Sequence, residues 1–384
     1  MTVTGDPAGL SVSYLLATTA GGTGRHVAML AGGCAARGAA VHVYGPAAAG
    51  PWLARDAAGP AATGWDFSTV DIAARARPAR DFAAALRLRR LLARDTPGVL
   101  HAHGLRAGAL AAPALALPGA PRTALAVTVH NAPPAGGPAA AVYAGLELIV
   151  ARRADAVLTV SGDLDGRLRR RGARLAGRAL VPAPAAAGAS PAEIAALHHE
   201  FGGRVIVVGV GRLAEQKGFG TLIAAAARWQ RRAVVPLLLI AGEGPLDSEL
   251  RRQAGMAGVA VQFLGARHDV PALLAAADVV VVPSNWEGQP LVVQEALRAG
   301  RPLVATRVGG IAELTGGDGA LLVPPGEPFA LAAAVTRLLD DPGAAARLAA
   351  AARARAALLP TGTAAVDQAL GLYQRVCRPV IGRS

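Results

Sequence analysis

The chain alternates continuous apolar runs with amphipathic ones, and the alternation persists from end to end. "LSVSYLLAT" reads as a buried strand, Gly21, Gly22 and Gly24 follow it, and "RHVAMLAGGCAARG" predicts a helix ending at Gly38. "AAVHVYG" is the next strand, and "DFAAALRLRRLLARD" is a basic amphipathic helix. "GVLHAHG", "TALAVTVHN" and "ADAVLTVS" complete the strands expected in this half. Strands apolar on both faces and separated by helices argue for parallel sheets covered on both sides.

"ALVPAPAAAGAS", Ala179 to Ser190, breaks the pattern with prolines and small residues and reads as a linker. A new unit then opens, with Ser190 as helix N-cap, Pro191 at the first helical position and Glu193 closing a capping box. "RVIVVGVGR", "VPLLLIAGEG", "AVQFLG", "DVVVVPS", "RPLVATR" and "GALLVPPG" are the strands of the second half. The architecture is α/β: two doubly wound halves, residues 1–182 and 183–360, with a cleft expected between them. An amphipathic tail, residues 361–384, is expected to cross back to the first half. Ligands of such sheets bind beyond the carboxyl ends of the strands.

Composition narrows the function. With 384 residues, 53% hydrophobic and 17% charged, the chain has ample material for large cores. The formal net charge is +13, and of 39 Lys plus Arg only Lys217 is lysine. A basic balance suits nucleic acid, an anionic membrane or an anionic substrate, but a drift towards arginine raises the charge with no partner at all. Aromatics are 4% and none interleaves the basic runs, which excludes a base-stacking platform for nucleic acid. The arginine-rich helix Arg80 to Arg94 and the run "RLRRRGARLAGR" offer peripheral contact with an anionic membrane as an alternative to a merely solvated face. Cys34 and Cys377 make no disulfide framework and point to a reducing compartment. The N-terminus lacks the basic n-region of a leader, and no run reaches the roughly 18–20 apolar residues of a membrane span. A cytoplasmic protein, with peripheral association at the inner membrane face as the variant, is expected.

Two stretches carry chemistry. In "VIVVGVGRLAEQKG" a strand ends at Arg212, and Lys217 follows five residues later before a helix expected near Thr221. A strand end, two cations and a helix N-terminus make an anion site suited to a diphosphate. In "PSNWEGQPLVVQEALRAGRPLVATRVGG", Pro283 to Gly310, Glu287 lies in the loop and Glu295 about a turn and a half into the helix. Carboxylates so placed accept hydrogen bonds from the hydroxyls of a polyol, and the helix start takes phosphate. Gly242, in "GEGP", brings backbone near a nucleotide. Asp163-x-Asp165 opens a helix and suits its dipole rather than a metal. His101 and His103 alternate onto one face, without a third metal ligand beside them, and His103 is a candidate to line the cleft. His198 and His199 read as surface residues.

On these motifs, together with "GGTGRHV", "VTVHN", "VLTVSGDL", "LLIAGEGPL", "FLGARHDV", "GGIAEL" and "GALLVPPGE", the chain resembles the retaining glycosyltransferases of family 4, with the GT-B fold of two facing Rossmann-like domains. The resemblance spans essentially the whole chain. It implies that the first domain takes the acceptor and the second a nucleotide-sugar donor, UDP- or GDP-linked. Arg212 and Lys217 would grip the diphosphate, Glu295 the ribose, and Glu287 the donor sugar, with Gly288, Gln289, Pro290 and Leu291 helping at sugar and phosphate. Gly21 and Gly22 would face the donor phosphates, Arg267 and Gly242 the nucleotide, and His130 the sugar. Cationic side chains at the leaving diphosphate imply that no metal or other cofactor is required. The acceptor is open, a lipid-linked or cell-envelope glycan among the candidates. "LVPAPAAAG" departs from the Asn-Gly turn that family members often carry after the linker strand. Alternatives on the same scaffold are a nucleotide-sugar epimerase, a sugar phosphorylase or a catalytically dead nucleotide-sugar-binding protein. A pyridoxal-dependent phosphorylase would need a second lysine, and no acid/base carboxylates for an epimerase stand out.

Overall fold

The computed structural model describes residues 9–17, 21–56, 64–72, 77–116, 122–133, 136–184 and 188–377. Residues 185–187 of the expected linker, residues 378–384 of the tail and residues 1–8 and 18–20 of the N-terminal stretch read for a leader lie outside them. The chain forms two compact units: one runs to Pro182 and resumes at Pro360, and the other is Ala183–Leu359.

The first unit is built on strands β1 (Ser11–Leu16), β2 (Ala40–Gly45), β3 (Trp65–Thr69), β4 (Val99–His103), β5 (Ala124–Val129), β6 (Ala156–Thr159) and β7 (Leu175–Arg178). They form one parallel sheet in the order β3-β2-β1-β4-β5-β6-β7. The two edge strands, β3 and β7, are absent from the sequence-based expectation. "WDFST" and "LAGR" are short and half-buried, so neither has the apolar run that marks a central strand.

The second unit carries β8 (Ile206–Val210), β9 (Leu237–Ala241), β10 (Val261–Gly265), β11 (Val279–Val282), β12 (Leu303–Thr306) and β13 (Leu321–Val323). Their order is β10-β9-β8-β11-β12-β13, the doubly wound pattern with its reversal between β8 and β11. Alternate residues feed separate cores. Val208, Leu239, Val280 and Leu303 pack on one face, and Val207, Leu238, Ile240, Val281 and Val304 on the other. The unit opens as its sequence predicts: the Ser190 hydroxyl caps Glu193, whose carboxylate accepts from the Ser190 N–H.

The last helix, Gly362–Val376, belongs to the first unit. It lies against the helix Gly22–Ala35, where a β-carbon on Gly33 would stand 2.3 Å from Val366 Cγ2. Gln368 clips its flank, donating to the Arg178 carbonyl at 2.7 Å and accepting from the Leu180 N–H at 3.0 Å. Tyr373 is fully buried, with its hydroxyl 2.6 Å from His101 Nδ1 and 3.2 Å from the Tyr14 hydroxyl. Removing that hydroxyl leaves the imidazole nitrogen without its partner inside the sheet. Tyr373→Phe is expected to cost the first unit about 1–3 kcal/mol, read as a lower urea midpoint with an unchanged slope.

Candidate functional site

In the second unit, the chemistry-bearing residues gather at the carboxyl ends of β8, β11 and β12. After β8 the chain passes exposed Arg212 and enters a short 3-10 turn, Glu215–Lys217, rather than an open loop. Gly218 follows at φ +65°, where a β-carbon would meet the Pro283 carbonyl oxygen at 2.0 Å. Only glycine lets this turn lie against the loop after β11. The helix begins at Phe219, two residues earlier than the sequence suggested.

Lys217 Nζ reaches Glu287 Oε1 at 2.5 Å, and the Ser284 hydroxyl donates to the same oxygen at 2.7 Å. Glu287 is buried, and this donor pair offsets the desolvation of its charge. Ser284 is fixed in turn by Thr306 of β12, whose hydroxyl donates to its carbonyl at 2.5 Å. Backbone contacts complete the clamp. The Asn285 N–H donates to the Gln216 carbonyl at 2.8 Å, and the Gly310 N–H to the Glu287 carbonyl at 3.0 Å. Gly309 sits so close that a β-carbon would stand 1.7 Å from that same carbonyl oxygen. Gly288, Gln289 and Pro290 then lead into the helix Leu291–Ala299, which carries half-buried Glu295 and closes on Gly300 in the left-handed conformation.

Gly242 has a backbone reason of its own. At φ +138° its β-carbon would fall 1.9 Å from the Gly211 carbonyl oxygen, and that of Gly244 2.3 Å from the Leu213 oxygen. Arg267 is engaged by its own unit: Nε and Nη2 donate to the Asp269 carboxylate at 2.8 and 2.6 Å, with Glu200 3.7 Å away.

In the first unit, Gly21 adopts φ +90° and Gly22 begins the helix Gly22–Ala35, whose first turn carries no acidic residue. His103 ends β4 and His130 follows β5, with His103 Nδ1 3.0 Å from His130 Nε2. The expectation that no third metal ligand accompanies the strand-end histidines is corrected here. His26 stands edge-on to both rings, at 5.4 and 5.5 Å between centroids. The sheet order explains the meeting: β1, β4 and β5 are neighbours, and His26 sits on the helix that leaves β1. His101 is occupied otherwise, between Tyr373 and the Thr128 hydroxyl at 2.8 Å. A cavity of about 140 Å³ opens beside the cluster, lined by His103, His130, Thr23, Arg106, Asn131 and Tyr143 among others. Asp163 and Asp165 lie in the first turn of the helix Gly162–Arg170, where Asp165 accepts from Thr159 and faces Arg178.

Burial dominates these imidazoles. It pushes His26 down to about 4, against a raising hydrogen bond with the Leu180 carbonyl, and His101 down to about 3, helped by His26. His103 is held well below the ordinary imidazole range by burial and then by His101, His130 and His26, and His130 likewise by burial and then by His26 and His101. All are neutral at pH 7. Because the folded values lie below the unfolded one near 6.5, the stabilisation is complete above about pH 6.5 and is lost as pH falls towards 4. In chelator-treated protein, thermal unfolding of the first unit is expected to drop steeply between pH 7 and pH 5, and His26→Gln to flatten that slope.

Comparison with known proteins agrees with this layout. A model described as Glycosyltransferase Family 4 matches residues 20–177, and one described as Glycosyl transferases group 1 matches residues 204–341. An alpha-D-kanosaminyltransferase of Streptomyces kanamyceticus is 36% identical over 182 residues, 45% of this chain and 46% of that protein. A glycogen synthase of Mycobacterium tuberculosis is 42% identical over 151 residues, 38% of this chain and 36% of that protein. The chain thus spans less than half the length of these curated relatives. In fold it is similar to Anabaena Alr3699/HepE, solved in complex with UDP and glucose, with a TM-score of 0.79 at 20% identity over 95% of this chain and all of that one. With one family model on each of its two Rossmann-like units, the chain belongs to the family 4 glycosyltransferases of the GT-B fold.

Proposed function

We propose that the chain is a retaining glycosyltransferase that takes its sugar from a nucleotide diphosphate, with UDP the first candidate and GDP the second. The observation that carries the reading is the Lys217–Glu287–Ser284 constellation at the strand ends of the second unit. It sets an ammonium, a carboxylate and a hydroxyl where doubly wound sheets bind ligands. In this reading the donor diphosphate lies against Arg212, Lys217 and the backbone N–H groups before and at Leu291. Glu287 accepts from sugar hydroxyls and Glu295 from the ribose. As the glycosidic bond breaks, negative charge grows on the leaving diphosphate, and the two cations stabilise it where it develops. Those cations occupy the role a divalent ion plays elsewhere, so the transfer is proposed to run without one. The acceptor hydroxyl, proposed to enter from the first unit, gives its proton to the leaving phosphate oxygen on the same face of the sugar, and configuration is retained. His130 is proposed to stand beside the sugar, its neutral ring and backbone carbonyl supporting positive charge at the reacting carbon. The UDP and glucose of the Anabaena structure and the sugar-transferring names of the relatives support the same class.

In a panel of UDP, GDP and ADP with EDTA present, one nucleotide is expected to raise the melting temperature of the protein. Lys217→Ala is expected to abolish that shift and lower kcat by about 10²–10³-fold, with Lys217→Arg as a control for charge without the point geometry. Wild-type turnover in the alanine variant would refute the assignment.

A second reading concerns where the first unit works. The helix Gly137–Arg153 is apolar nearly all round, and no described helix is long and apolar enough to cross a membrane. Its outer face exposes Val142, Leu148 and Ile149 and ends at Arg152 and Arg153. Beside the helix Leu105–Ala116 it forms a groove of about 480 Å³ lined by Ala109, Ala112, Pro113, Leu148, Ile149 and both arginines among others. The next helix, Pro78–Asp95, exposes Phe82 with Arg80, Arg87, Arg90 and Arg94. Apolar side chains rimmed by cations suit an anionic lipid surface, and two such faces would repel each other as a dimer. Flotation with phosphatidylglycerol vesicles but not phosphatidylcholine vesicles is expected, lost in Leu148→Glu/Ile149→Glu. Equal flotation of that variant would exclude the surface.

A further inference from the structure

The histidine cluster of the first unit has ligating capacity that the donor chemistry leaves unused. One ring nitrogen each from His26, His103 and His130 can be chosen so that all lie within 4.8 Å of one another. All three side chains are buried. Two further facts point to a ligand. His26 Nδ1 is buried without a hydrogen-bond partner, although such a nitrogen costs free energy unless something meets it. The cavity of about 140 Å³ reaches the cluster, with His103 and His130 in its wall, and gives an ion a route in and an open coordination position.

The donor set selects the ion. Three imidazoles without a carboxylate suit borderline transition metals and offer nothing to Mg²⁺ or Ca²⁺. Metal–nitrogen bonds of about 2.0–2.1 Å place tetrahedral ligands about 3.4 Å apart. His103 Nδ1 and His130 Nε2 stand 3.0 Å apart, near this value, and the three rings can each offer one nitrogen within 4.8 Å of the others.

We propose that His26, His103 and His130 form a three-imidazole site for a divalent transition-metal ion of the zinc class. The site lies in the first unit, apart from the cations assigned to the donor diphosphate, so the ion is regulatory rather than catalytic. Coordination holds His130 away from the sugar, and a zinc-class ion therefore inhibits transfer. This last clause rests on the role proposed above for His130; the binding itself does not.

Cobalt is the probe for binding, because its visible absorption reports coordination. Chelator-stripped full-length protein is expected to take up one Co²⁺ per chain, with the intense visible bands of a four- or five-coordinate nitrogen site, and Zn²⁺ to bleach them. His26→Gln and His103→Gln are expected to weaken uptake by more than about 10-fold, while His198→Gln/His199→Gln is not. Zinc-edge X-ray absorption on the wild type is expected to count three imidazoles and needs no variant to fold. Absent visible bands, fewer than three imidazoles, or uptake that persists in folded His26→Gln overturns the site. Zn²⁺ at filling concentrations is then expected to lower turnover in the wild type and not in His26→Gln. Binding with turnover unchanged would leave the metal site standing and remove the role of His130 in transfer.

Discussion

The buried carboxylate of Glu287 is the constraint on which the second unit's site depends. A charge removed from water needs compensation, and it comes from Lys217 after β8 and Ser284 after β11. Ser284 is itself positioned by Thr306 of β12. The three strands are neighbours in the order β8-β11-β12, so the parallel register of the sheet brings their carboxyl ends together. One carboxylate thereby couples segments 70 residues apart in sequence. The glycines make that approach sterically possible. Gly218 and Gly309 place backbone against carbonyl oxygens at separations no side chain tolerates.

Much of this was legible in the sequence, and the limits are physical. The strands whose apolar runs are continuous, such as "DVVVV" and "VIVVGV", are central and stand where the pattern put them. The Ser190–Glu193 capping box and the Gly300 helix end are local devices and were equally readable. Edge strands β3 and β7 were not, because an edge needs no two-sided apolar run. Side-chain partnerships across long separations were not readable either. The contact of Lys217 with Glu287 is one such partnership. The bond of Arg267 to Asp269, only two residues on, is a local pair that the charge pattern did not single out. The close approach of Gly242 to the Gly211 carbonyl is likewise a contact that no local pattern reveals.

The histidines of the first unit show how topology adds what spacing hides. His26, His103 and His130 share no motif, yet the order β1-β4-β5 places their elements side by side. The signal was present once strand order was granted, since His103 ends β4, His130 follows β5 and His26 lies on the helix after β1. The same core holds the last helix, because Tyr373 meets His101 across 272 residues of sequence. Polar groups inside an otherwise apolar sheet cost free energy unless they find partners, and His101 finds Tyr373 and Thr128.

The single lysine can now be argued from geometry as well as composition. Arginines in this chain engage carboxylates through two nitrogens where both oxygens are open to them, as Arg267 does with Asp269 and Arg232 with Asp340. Glu287 presents Lys217 with one oxygen, which already accepts from Ser284. An ammonium donates to that oxygen along one line and keeps two further N–H groups. The lysine stem also runs past Gly211, where even an added β-carbon would be 3.6 Å from Lys217 Cδ. A compact charge on a slender stem fits this position.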